Sequence, residues 1–105
     1  MKKGLFKFNI RVYGLYIDSD SKLLVSDEHI WNKNITKFPG GGLEYGEGLL
    51  DGLKREWNEE TETLIQSAEH YYTTDFFQEA FHKESQVISI YYKVSLEDPE
   101  LSLIH

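Results

Sequence analysis

Three carboxylates, Glu56, Glu59 and Glu60, crowd a short stretch of this 105-residue chain. On a helix, positions three and four apart are neighbours, so these groups would share one ridge. Like charges placed that way cost about 0.2–0.5 kcal/mol per pair. Near a helix C-terminus the macrodipole adds a penalty of about 0.3–1 kcal/mol for an anion. A hard divalent cation removes both penalties, because Mg²⁺ and Mn²⁺ prefer oxygen ligands. Spacing alone leaves open a purely solvated acidic face. Glu47 and Arg55 stand eight apart, about two helical turns. A pair between them would hold Arg55 beside the ridge; the plain alternative is a surface ion pair worth about 0–1 kcal/mol. Just upstream, Pro39-Gly40-Gly41-Gly42 forms a glycine-rich turn that can expose backbone amides and carbonyls to a ligand.

The elements that position these groups can be read around them. Glu47 to about Thr61 is the one convincing helix, with Leu50, Leu53, Trp57 and Leu64 on a core-facing stripe. Phe6 to Ile17 is rich in aromatic and β-branched residues and predicts a strand, with Gly14 as the site of a bulge. Asp18 to Ser21 is a turn cluster, and Lys22 to Ser26 predicts a short return strand, closing a hairpin. Ile35 to Phe38 leads into the glycine turn. Glu69 to Glu79 and Gln86 to Leu96 predict two long strands joined through Ala80 to Ser85. Strands on both sides of a single helix predict an α+β fold with a mixed β-sheet.

Composition narrows the function classes. The chain has 18 acids against 11 Lys and Arg, for a formal charge of −7. Between Gly41 and Thr63 lie seven of those acids and two bases, so most of the excess sits in one loop–helix segment. A broad nucleic-acid footprint would need a basic stripe, so no nucleic-acid polymer is expected as partner. No apolar run approaches the roughly 20 residues of a membrane span, and no signal-peptide pattern follows Lys2 and Lys3. The chain contains no cysteine, which excludes disulfides and thiolate chemistry. A single domain over residues 1–105 and a cytoplasmic address are the expectations.

Taken together, Gly41-x5-Glu47-x7-Arg55-Glu56-Trp57-x-Glu59-Glu60-x-Glu62-Thr63 closely resembles the Nudix box, G-x5-E-x7-R-E-U-x-E-E-x-G-U, where U is a bulky apolar residue. Phe38-Pro-Gly-Gly-Gly42 is similar to the usual lead-in. Six fixed positions match: Gly41, Glu47, Arg55, Glu56, Glu59 and Glu60. Two positions depart, with Glu62 in place of the second glycine and Thr63 in place of the last apolar residue. Glycine at that point would end the helix in a left-handed conformation. Either Glu62 accepts that conformation or the helix runs further before turning. Trp57 is a larger filler than the usual aliphatic residue, a change expected to concern packing only. Family members usually continue into a further strand and a closing helix; no helical pattern precedes His105, so the C-terminal strand and helix are expected to be missing or shortened.

The resemblance implies a Nudix-type mixed sheet carrying the helix. It also implies a hydrolase that cleaves the pyrophosphate of a nucleoside diphosphate linked to another moiety, with Mg²⁺ or Mn²⁺. Glu56, Glu59 and Glu60 are then the metal ligands, with the Gly41 carbonyl as a further one. Glu59 is the first choice for contact with the attacking water, and Arg55 and Glu47 hold the ridge in place. The family often recruits one more acid from outside the box, for which Glu79, Glu84, Glu97 and Glu100 are candidates. Substrate contacts are poorly encoded: Arg11, on a strand face shared with Asn9 and Tyr13, Lys37 before the glycine turn, and His82 in a loop are candidates. Tyr13, Trp31 and Phe81 are candidates for stacking on a base, although aromatics in a small domain are often packing. His29, His70, His82 and His105 show no metal-ligand spacing. The rival reading is a non-catalytic Nudix-fold module that binds a nucleotide-like ligand; a truncated sheet edge would also invite a homodimer.

Overall fold

The computed structural model describes residues 7–30, 32–80 and 84–98. In chain order the elements are β1 (Lys7–Leu15), β2 (Ser26–Ile30), β3 (Lys33–Lys37), β4 (Gly40–Gly42), α1 (Leu49–Thr61), β5 (Ile65–Thr73) and β6 (Ser85–Leu96). Four strands form one mixed sheet in the order β4-β1-β6-β5, and β2 with β3 forms a separate antiparallel pair. Within the sheet β1 is antiparallel to β4 and parallel to β6, while β5 runs antiparallel to β6. The expected α+β architecture is thus present, a mixed sheet with one helix packed on it. Among the described residues no helix is long and apolar enough to cross a membrane.

Strand alternation divides the sheet into two working faces. Val12, Gly14 and Tyr16 are buried on the helix side, and their β6 counterparts include Ile90 and Tyr92. With Leu53 and Trp57 of α1, Ile65 and Leu96, they make the core. Arg11 and Tyr13 point the other way, across from Ser89 and Tyr91. The helix stripe differs from the expected one. Leu53 and Trp57 are fully buried, but Leu50 is 42% and Leu64 56% exposed. Because α1 starts at Leu49, that residue supplies the third contact with the core, and Ile65 replaces Leu64.

The indole of Trp57 explains two features at once. A Cβ at Gly14 would lie 2.6 Å from Cζ3 of Trp57, so the strand needs glycine there for the ring to pass. No bulge occurs at Gly14, which pairs regularly with Tyr92; the irregularities of register lie in β5, between Ile65 and Ser67 and between His70 and Tyr72. The Trp57 Nε1–H donates to Thr63 Oγ1 at 2.8 Å, and Thr61 Oγ1 bonds Thr63 Oγ1 and the Trp57 carbonyl. Thr63 therefore satisfies a buried N–H that an apolar residue would leave unpaired. Trp57 is more than a packing change: it and Thr63 form a matched pair. Glu62 takes the left-handed conformation (φ 58°, ψ 29°) and its N–H closes on Asn58 O at 2.9 Å, so the helix ends where glycine would end it.

Two expected strands are corrected. Instead of a return strand at Lys22 to Ser26 there is a single bridge between Ile17 and Leu23. The Asp18 carboxylate accepts from the amides of Asp20 and Lys22, both at 2.9 Å, and the hairpin is held by short backbone pairing, Asp18 N–H to Lys22 O at 2.9 Å and Leu24 N–H to Tyr16 O at 3.0 Å, without a regular return strand. The fifth strand starts at Ile65 and ends at Thr73, short of Glu79. There Thr74 Oγ1 takes the Ser89 amide at 3.0 Å and the regular ladder is interrupted, but the two segments still pair beyond it, through Val87 N–H to Gln78 O at 2.8 Å and a bridge between Glu79 and Gln86. The Gly40–Gly42 segment, expected as a loop, is a short strand held against Arg11–Tyr13. Residues 99 to 105, where the missing or shortened C-terminal elements were expected, lie outside the described residues.

Candidate active site

Arg55 organises the acidic segment. Its Nε and Nη2 donate to the two oxygens of Glu47 at 3.0 and 2.7 Å, and Nη2 also donates to the Gly42 carbonyl at 3.2 Å. Its Nη1 faces Glu44 at 3.5 Å, Glu56 at 3.4 Å and Glu59 at 3.5 Å. A two-pronged guanidinium–carboxylate pair of this kind fixes geometry as well as charge. Glu47 Oε1 also accepts from the Glu44 amide at 2.8 Å. The Arg55 hydrogen bonds, helped by that amide, hold the Glu47 carboxyl at a pKa of about 2. Arg55 is raised in turn, chiefly by its bonds to Glu47.

Glu56 sits where the glycine turn meets the helix. A Cβ at Gly41 would come within 2.5 Å of its carboxylate, so the close approach requires glycine at that position. Burial raises the Glu56 pKa, Glu59 and Glu60 add to this by repulsion, and Arg55 opposes it. Glu59 is the open member of the ridge, its side chain 57% exposed. Glu60 is bound by a second cation. Its Oε1 accepts from Lys37 Nζ at 2.9 Å, and the same ammonium reaches the Gly40 carbonyl at 2.9 Å and Glu28 Oε1 at 3.1 Å. Burial alone would lower Lys37, but its bonds to Glu60 and Glu28 outweigh that and hold its pKa above the ordinary value.

The ridge is therefore neutralised in part by the protein's own cations: Arg55, as its spacing from Glu47 predicts, and Lys37, which lies off the helix and which helical spacing did not reveal. Among the described residues no three acidic or histidine side chains are gathered closely enough to hold a metal ion. The donor chemistry still suits a hard divalent ion: carboxylate oxygens beside the backbone of a glycine turn.

On the opposite sheet face a cleft of about 500 Å³ is lined by residues that include Asn9, Arg11, Tyr13, Lys37, Gln78, Glu79 and Ser89. Arg11 shares this face with Asn9 and Tyr13 as expected, its Nε donating to Tyr13 Oη at 2.5 Å. Tyr13 stacks on Tyr91 with ring centroids 5.4 Å apart, and Arg11 and Lys37 lie 5.6 and 5.7 Å from its centroid. With those neighbours, Tyr13 is engaged in packing at the cleft wall. Of the four candidate acids outside the box, Glu79 lines the cleft, and Glu97 follows β6, its amide bonded to Leu64 O. Glu84 begins the turn into β6 with φ 74°; Glu100, like Trp31, Phe81 and His82, lies outside the described residues. Sequence reasoning missed Glu28 and Glu44. Glu28 faces Ile35 across the hairpin, one diagonal step from Lys37, but its strand SDEHI has no apolar alternation to announce it.

The NUDIX domain family model matches residues 7–103. No curated protein matches the chain in sequence. Among solved structures, one of MutT described for Aliivibrio salmonicida and Vibrio cholerae is 20% identical with a TM-score of 0.69, covering 86% of this chain and 68% of that one. A mutator MutT protein of Bacillus halodurans is 22% identical, TM-score 0.66, over 83% of this chain and 56% of its own. MutT of Methanosarcina mazei is 22% identical, TM-score 0.65, over 90% and 73%. The chain thus spans between about half and three-quarters of the length of these structures. A mixed sheet bearing the acidic helix and its arginine clamp defines a Nudix-type fold. The chain belongs to the NUDIX domain family. Members generally use divalent metals and act on small-molecule nucleoside diphosphate derivatives.

Proposed function

We propose that this protein is a divalent-metal-dependent pyrophosphohydrolase acting on a nucleoside diphosphate linked to another moiety. The observation that carries the reading is the clamp that ties Arg55 to Glu47 and the Gly42 carbonyl and places it against Glu56 and Glu59. An ion pair made only for the surface has no need of a backbone carbonyl.

Glu56, Glu59 and Glu60, with the Gly41 carbonyl, are the groups that would hold Mg²⁺ or Mn²⁺. When bound, such an ion neutralises diphosphate charge and acidifies water. Hydrolysis adds a water oxygen to one phosphorus, breaks the bond from that phosphorus to the bridging oxygen, and releases a proton. Glu59, the exposed carboxylate of the ridge, is assigned to that water and its proton; Glu79 in the cleft is the alternative. Arg55 and Glu47 act as positioning residues, fixing the ridge against the glycine turn. Arg11 is assigned to the polar part of the substrate in the cleft. The left-handed exit at Glu62 keeps the geometry a glycine would give, so that substitution does not favour the non-catalytic module.

The test is a diphosphate-substrate panel with Mg²⁺ and Mn²⁺, run on the wild type and Glu59→Gln. Loss of general-base assistance is worth roughly 10²–10⁴-fold, so Glu59→Gln should lose turnover on that scale while keeping its melting temperature. Unchanged turnover would sink the assignment.

A further inference from the structure

We infer that Lys37 is a resident cation of the acidic ridge, competing with the divalent ion for Glu60 and so setting the affinity of the site for metal. The inference rests on the metal-dependent reading above. Three acceptors converge on Lys37 Nζ, the Gly40 carbonyl, Glu60 Oε1 and Glu28 Oε1, at 2.9, 2.9 and 3.1 Å. An ammonium has three N–H donors, so this set engages all of them. The side chains of Lys37 and Glu60 are 18% and 21% exposed, so the pair lies at the surface but is partly screened from water. Its anchors come from three elements: the hairpin strand β2 through Glu28, the glycine strand β4 through Gly40, and α1 through Glu60. The ammonium thus stands between the glycine turn and one end of the ridge, where an oxygen-seeking cation would otherwise draw on Glu60.

Two effects of opposite kind follow. With Lys37 in place, Glu60 keeps a defined direction and the ridge is partly neutralised without metal. An incoming divalent ion must share or take a carboxylate already bound and must approach a fixed positive charge, which weakens its binding in a site of reduced dielectric. Removal of the charge should therefore tighten metal binding, the reverse of what loss of a merely structural residue would do.

The experiment is Mn²⁺ titration of the full chain, with free Mn²⁺ read by electron paramagnetic resonance, for the wild type, Lys37→Met, Lys37→Gln and Lys37→Arg. Loss of the positive charge in Lys37→Met and Lys37→Gln should tighten Mn²⁺ about tenfold, the effect of a nearby charge at intermediate dielectric. Lys37→Arg, which keeps the charge, should stay within about threefold of the wild type. The glutamine variant retains donors for Gly40 and Glu60, so it serves where methionine disturbs folding. Equal or weaker Mn²⁺ binding in both neutral variants overturns the inference while leaving the metal-dependent reading intact. Absence of Mn²⁺ binding in every protein, wild type included, overturns both.

Discussion

Glu47 and Arg55 are bound more tightly to each other than either is to the ridge they serve, and this carries a pH signature. The carboxyl titrates at about 2 in the folded chain against 4.5 ordinarily. A group depressed on folding contributes stability that is complete above its unfolded pKa and is lost as pH falls through its folded one. The window is therefore between about pH 4.5 and 2. Thermal melts across that range should fall more steeply for the wild type than for Glu47→Gln, which starts lower at neutral pH. Parallel curves would show that the pair adds nothing to folding. Glu56 follows the opposite sign, since burial raises it. Its ionised form is the one disfavoured by folding, and that carboxylate is retained where a divalent ion would use it.

Between residue and molecule, the helix exit is the element with the most interlocked parts. Trp57, Thr63 and Gly14 depend on one another, through an indole N–H bond at 2.8 Å and a ring with no room for a strand side chain. Thr63→Val should lower stability by about 1–3 kcal/mol by leaving that N–H unpaired. Gly14→Ala should cost about 1–3 kcal/mol by overpacking, and much of that loss should return in the double variant with Trp57→Leu, because contacting sites are not additive. Denaturant unfolding of the wild type, Thr63→Val, Gly14→Ala, Trp57→Leu and the double variant checks both. The box itself was legible in the sequence because its side chains act through one helix and one turn, where spacing fixes neighbourhood. Leu50 and Leu64 were misplaced because a wheel gives an angular stripe, while the sheet covers only the part between Leu49 and Trp57. The partnership of Trp57 with Thr63 was hidden because each departs from the family pattern separately and only the turn at Glu62 joins them.

For the molecule as a whole, a charge of −7 concentrated in one segment would suit a site that expects cations. Lys37 and Arg55 counter part of it with charges of the chain's own. Chelation by EDTA should abolish hydrolysis while leaving the far-ultraviolet circular dichroism unchanged; unfolding on chelation would show the metal to be structural. The cleft was the least legible part of the site. Asn9 and Arg11 on β1 reach Ser89 on β6 only through parallel pairing, which no local pattern announces. The expected homodimer drew on an open sheet edge; β4 and β5 are the two edges of the four-stranded sheet among the described residues.

The same parallel pairing shapes how the molecule comes to exist. Lys7 meets Ser85 and Leu15 meets Lys93, so each of these contacts closes a loop of roughly three-quarters of the chain. Long-range strand pairing of this kind slows folding, because loop closure precedes any gain from contact. A helix of 13 residues carrying a ridge of like charges is marginal alone, and the sheet that buries Trp57 cannot be completed until β6 has left the ribosome. During synthesis the acidic segment would therefore wait for its support, and the arrival of β6 would decide when helix and core set together.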